Sequence, residues 1–203
     1  MKGLIIKDIL MIKNNIKLLS IAFLVWLILS STQNNDMTFI LPFLAIMIFI
    51  STFSYDDYNN WNAYAITLPN GRKNVVKSKY IASIILTVVI ALICGVISYI
   101  FYKTKMLNLI QQLSGSLVGV IIVISLLYPI MFKYGSEKGR IITMLLVIGT
   151  VCISGLISKI INIPEKYINI FNNYETVFLV IISIMCLIIS YIISKKIYLK
   201  KEY

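Results

Sequence analysis

The chain has 203 residues, 59% of them hydrophobic, and a formal net charge of +11 from 19 basic and 8 acidic side chains. A water-soluble domain is roughly 45–50% apolar; here the mean hydropathy is +0.90 and the surplus comes in long blocks, which excludes a single buried core. The basic residues lie between those blocks, so membrane topology accounts for them better than nucleic acid, for which there is no RNA-binding aromatic motif and no zinc-ligand spacing.

In residues 1–16, Ile5, Ile9, Ile12 and Ile16 recur at spacings of four, three and four, with Lys7 and Asn14 on the polar side. That period predicts an interfacial elbow helix along the inner membrane surface, its lysines towards anionic head groups. An ordinary extension of the first span is the other reading.

Six apolar blocks follow, over about 18–31, 37–54, 80–102, 113–132, 141–158 and 176–194. A bilayer core of ~30 Å asks for about 20 apolar residues per helix; the first block meets this only marginally. Pro42 and Pro129 are expected to kink the second and fourth spans. The fold class expected is all-α: a polytopic membrane protein with six transmembrane helices, forming one transmembrane domain over 1–203.

Fifteen of the 19 basic residues fall in the N-terminus, the 55–79 connection, the 133–140 connection and the tail; only Lys103, Lys105, Lys159 and Lys166 fall on the opposite side. The positive-inside rule then puts both termini in the cytoplasm and requires an even number of spans. No small-residue cleavage site follows the first block, so a secretory signal does not fit. Cys94, Cys152 and Cys186 lie inside the blocks, without CxxC spacing and with no His in the chain. They read as packing residues.

The blocks contain no Asp, Glu, Lys, Arg or His. Proton-coupled transport and intramembrane proteolysis need titratable groups at depth, so both are disfavoured. No TVGYG filter is present. The phosphate-cradling GxxxxGK[ST] loop is also missing, and Gly71-Arg72-Lys73 lacks its first glycine and its hydroxyl. The chain is expected to be no enzyme and to hold no catalytic, cofactor or metal site of its own. Gly115 and Gly119 make a GxxxG step in the fourth block, and Gly149 and Gly155 are small positions in the fifth. They suit either a dimer contact or tight packing within one subunit.

The connection 55–79 is the longest polar stretch. Read as a helix, it puts Tyr58, Trp61, Ala65 and Leu68 on one face, with Tyr64 beside Trp61 and with Asp56 and Asp57 at the N-terminus. Pro69-Asn70-Gly71 makes a turn, and a second helix starts near Arg72. Such aromatics form either a docking surface for a protein or a belt on the membrane.

Leu68-Pro69-x-x-Arg72-x-x-x-Val76-x-x-Lys79-Tyr80, preceded by Tyr55-Asp56 and by the opening Met1-Lys2-Gly3-Leu4-x-x-Lys7-Asp8, resembles the signature of small ABC type-2 membrane permeases. The resemblance implies a membrane subunit that pairs with a second permease subunit, the same or different, above two cytoplasmic ABC ATPase subunits that hold ATP and Mg. The helix between spans two and three would be the coupling helix, with Asp56, Asp57, Tyr58, Trp61, Tyr64, Leu68 and Arg72 as its ATPase-docking residues. By the same analogy Ser51, Thr52, Thr143, Thr150 and Ser154 would line the path of a peptide cargo. The chain is similar to bacterial exporters of cytolytic or antimicrobial peptides, such as phenol-soluble modulin exporters, in the cell membrane. A peptide-immunity or sensor protein and a passive channel or uniporter are the alternatives.

Overall fold

The computed structural model describes residues 2–33, 40–68, 71–102, 106–160 and 165–201; within them the side chains of 26–33, of 150–177 and of a few positions elsewhere lie outside the description. The described backbone is helical throughout apart from short turns. Its elements are α1 (Lys2–Gln33), α2 (Ile40–Tyr58), α3 (Trp61–Thr67), α4 (Gly71–Tyr102), α5 (Met106–Ile160) and α6 (Glu165–Lys200).

Three described stretches are long and apolar enough to cross a membrane: Gly71–Ile100, Leu109–Leu146 and Phe178–Lys200. The outer faces of these helices, with Leu92, Ile100, Leu145, Ile148, Ile184 and Ile188, are exposed and apolar. Contiguous apolar surface of that extent is untenable in water and natural against lipid.

The expected elbow helix and first span form one continuous helix. Between Leu4 and Gln33 there is neither Gly nor Pro, and α1 runs unbroken for 32 residues, roughly 48 Å. Its described side chains leave the apolar stripe outward, as lipid would require, but place one lysine differently. Ile9 is exposed, whereas Leu4 packs on the core and Asp8 is 3% exposed. Lys7, assigned by periodicity to the head groups, turns inward because the carboxylates of Asp8 and Asp56 are there to pair with it.

Helix α2 packs against α1, α4 and α5. Its buried residues Leu41, Leu44, Ala45, Ile48, Phe49 and Phe53 recur at helical spacing. Pro42 lies in the first described turn of α2.

The long element α5 is two limbs. Gly135 has φ 79° and ψ 179°, a conformation open in practice only to glycine. A Cβ placed on Gly139 would stand 3.3 Å from the Cα of Met131. Eight residues apart in a continuous helix they would be separated by ~12 Å. The chain therefore doubles back at Gly135, in the connection that the run of Lys133, Lys138 and Arg140 marks in the sequence.

Within the core seven aromatic rings pack edge to face. Tyr128 stands against Phe49, Phe53, Tyr80 and Phe132 at centroid distances of 4.8–6.3 Å. Tyr191 and Tyr198 extend the cluster to α6. The Tyr80 hydroxyl lies 2.6 Å from Ser190 Oγ and 2.9 Å from Ser194 Oγ, fastening α4 to α6.

Candidate docking site

Helix α3 exists because the chain is broken on both sides of it. Asn60 is left-handed (φ 51°, ψ 30°), a conformation that asparagine tolerates better than most residues, and there α2 stops. At the other end Leu68 precedes Pro69 and is extended (φ −75°, ψ 145°), as the proline ring requires of its predecessor. The Gly71 N–H then donates to the Leu68 carbonyl at 2.8 Å. A Cβ at Gly71 would lie 1.8 Å from the Ala65 carbonyl oxygen, so only glycine lets α4 start this close under α3. Asp56 and Asp57 are thus in the last turn of α2, and not at the N-terminus of a helix continuing to Leu68.

The docking residues read from the sequence divide into an outer and an inner group. Tyr58 and Tyr64 are 85% and 57% exposed. Trp61 and Leu68 are half-buried. The rings of Trp61 and Tyr64 meet at 5.2 Å, and Trp61 packs on the core with its other side.

Asp56, Asp57 and Arg72 face inward. Asp56 is 1% exposed, with one carboxylate oxygen 2.6 Å from Lys7 Nζ and the other 2.6 Å from Lys79 Nζ. Asp8 joins the same two lysines at 3.3 and 3.8 Å. Two acids and two bases balance each other, and burial without such pairing would cost several kcal/mol per ion. The Lys7 ammonium also sits 4.2 Å from the centre of the Trp61 ring, and that of Lys79 lies 4.4 Å from Phe53. This cluster ties α1, α2 and α4 together directly behind α3.

Asp57 joins different elements. Asn62 Nδ2 donates to its Oδ1 at 3.0 Å, and the backbone N–H of Ser136 donates to its Oδ2 at 2.7 Å. Tyr198 donates in turn to Asn62 Oδ1 at 3.1 Å. Arg72 donates to the Leu199 carbonyl at 2.9 Å, and Lys201 to that of Phe132 at 3.2 Å. Both cations meet carbonyls at the ends of helical limbs, where the backbone dipole welcomes positive charge.

Lys7, Asp8, Lys79, Asn62, Ser136 and Tyr198 were not singled out as site residues by sequence. Lys7, Asp8 and Lys79 nevertheless stand in the motifs that carried the family resemblance, and that was the available signal.

Of the candidates for a path, three have described side chains. Ser51 and Thr52 on α2 donate to the carbonyls of Ile48 and Phe49, and Thr143 on the second limb of α5 donates to that of Arg140. Thr52 borders a small void beside Asp8 and Lys79. The side chains of Thr150 and Ser154 lie outside the described residues, as does the packing of Gly155. Among the other glycines, Gly119 approaches Pro42, with 3.9 Å between a Cβ built on it and the ring, while a Cβ on Gly115 or Gly149 would meet no atom of the described residues within 4 Å.

A search of curated proteins finds no match, and neither does a search of solved structures. A family model described as ABC-2 family transporter protein matches residues 3–199. That span takes in α1 to α6 almost whole, with the charged cluster and the docking helix inside it. The chain belongs to the ABC-2 transporter family, as a membrane component with a permease role.

Proposed function

We propose that this chain is the six-span permease subunit of an ATP-driven exporter in the bacterial plasma membrane, with both termini in the cytoplasm. It has no ATP site of its own. A second permease subunit completes the transmembrane assembly, and two copies of a separate ABC ATPase, holding ATP and Mg, dock on α3 from the cytoplasm. The observation that carries the reading is the state of α3. Its inner face is fastened to α1 through Trp61, to α2 through Asn62 and to α6 through Asn62 and Tyr198, while Tyr64 on its outer edge, with Tyr58 at the adjoining end of α2, is offered to a partner. Exposed tyrosines on a rigid support are what a protein partner uses as anchors. Membrane components of this family generally work with an ATPase subunit, which supports the same reading.

The cargo proposed is an amphipathic or hydrophobic peptide of cytolytic or antimicrobial type. Supporting it are the resemblance to such exporters and spans that carry no Asp, Glu, Lys, Arg or His over 80–102, 113–132 and 176–194. Inside-out vesicles containing the chain and its co-expressed ATPase are expected to accumulate a fluorescent amphipathic helical peptide when ATP is added, and not with a non-hydrolysable analogue. Equal uptake by liposomes holding this chain alone would replace the exporter with a uniporter. Saturable binding with no uptake would replace it with an immunity protein.

A further inference from the structure

The Asp57–Asn62 pair is the meeting point of four helices. Asp57 ends α2, Asn62 lies in the first turn of α3, and the two join at 3.0 Å. From Asp57 the contact continues to the Ser136 N–H at 2.7 Å, the first amide after the reversal of α5. From Asn62 it continues to the Tyr198 hydroxyl at 3.1 Å, near the end of α6. Elsewhere in this region polar side chains mostly join two elements. Gly135 places the Ser136 amide there: its φ of 79° turns the chain back beside Asp57, whose Oδ2 would lie 3.5 Å from a Cβ at that position. The second limb of α5 thus begins on a carboxylate supplied by another helix.

We propose that Asp57 and Asn62 are the positioning residues that transmit a displacement of α3 to the second limb of α5 and to the end of α6. The inference rests on α3 being the ATPase-docking helix. Packing alone would let α3 slide over its neighbours, whereas directional hydrogen bonds with matched donors and acceptors hold it in register. In that arrangement α3 cannot move without carrying the start of the second α5 limb and the tip of α6 with it.

The donor and acceptor pattern supplies the test. Asn62→Asp sets two carboxylates face to face where an amide donated to a carboxylate at 3.0 Å. Like charges so placed cost several kcal/mol. Asp57→Asn with Asn62→Asp restores every bond: the new amide oxygen accepts from Ser136, its NH2 donates to the new carboxylate, and the other carboxylate oxygen accepts from Tyr198. Ser136→Pro is an independent variant, because it deletes the N–H that Asp57 receives, at a first-turn position where a helix accepts proline, and Ser136→Ala controls for the hydroxyl lost with it.

The complex of chain and ATPase, purified and reconstituted, is assayed for peptide transported per ATP hydrolysed. Asn62→Asp and Ser136→Pro are expected to keep the ATPase bound and hydrolysing while that ratio falls about tenfold or more, and the double exchange to return it to within about threefold of wild type. A wild-type ratio in either single variant overturns the inference and leaves docking intact. So does a low ratio in the double exchange when that complex is purified at wild-type yield. A wild-type complex without ATPase overturns the docking reading and this inference together. Loss of the folded complex in Asn62→Asp, with Ser136→Pro fully coupled, also overturns it, because the pair is then only structural.

Discussion

Lys79→Met is expected to be among the most destabilising single changes in this chain, by about 3–5 kcal/mol. Lys79 is 3% exposed and lies 2.6 Å from Asp56 and 3.8 Å from Asp8. Methionine fills the space, so the loss is one of charge and not of volume. Two buried carboxylates then share the single ammonium of Lys7. The comparison that isolates the charge is Asp8→Asn with Lys79→Met, which leaves one balanced pair, Lys7 with Asp56 at 2.6 Å. Thermal unfolding in mild detergent should show Lys79→Met far below wild type and the double variant recovering most of the difference. Equal melting of Lys79→Met and wild type would mean that the four charges are not paired as described.

Tyr128→Ala is expected to cost about 3–5 kcal/mol, the range for deleting a large buried ring. Tyr128 is 2% exposed and meets four other rings edge to face, the closest being Tyr80 at 4.8 Å. Its removal empties the middle of the aromatic cluster that joins α2, α4 and the first limb of α5. Tyr128→Phe separates ring from hydroxyl. The hydroxyl reaches the Lys79 carbonyl only at 3.5 Å and also bonds the Ser83 hydroxyl, so its loss should cost about 1 kcal/mol, well short of the ring's. The same melting assay checks both variants. A phenylalanine variant as weak as the alanine one would contradict the assignment of stability to ring packing.

These two residues also mark what the sequence conceals. Block length and apolarity were enough to place helices over 80–102, 113–132 and 176–194, and the structure has helices there. The charged break at 133–140 located the reversal of α5, because a chain leaving the bilayer needs polar residues. Periodicity misplaced Lys7 in α1. Ile5, Ile9, Ile12 and Ile16 make a regular stripe, but the inward direction is decided by where Asp56 and Lys79 stand, 49 and 72 positions from Lys7 along the chain. Ion pairs of that sequence separation leave no local pattern. The Asp57–Ser136 bond, between residues 79 apart, is invisible for the same reason. The boundary between α2 and α3 was in principle readable. Asn59-Asn60 is a pair suited to a left-handed residue, yet the aromatic spacing of Tyr58, Trp61, Ala65 and Leu68 continues across the break and imitates a single helix. Trp61 was read as a docking anchor. Its ring serves the Lys7 cluster on one side and Tyr64 on the other, so its place is at the join between support and surface.

Because Trp61 belongs partly to the interior, the docking claim is best tested on the two exposed tyrosines, Tyr58 and Tyr64. The tagged chain is purified in mild detergent from its native membrane as wild type and as the Tyr58→Ala/Tyr64→Ala variant, and the proteins that accompany each are quantified. The account predicts a stoichiometric ABC ATPase with the wild type. With the variant, whose own yield and melting are unchanged, retention of that ATPase should fall about tenfold or more, as for loss of a tyrosine anchor worth about 2 kcal/mol. An ATPase held equally by both would move the docking surface away from α3, and a wild-type chain that brings no ATPase would contradict the exporter itself.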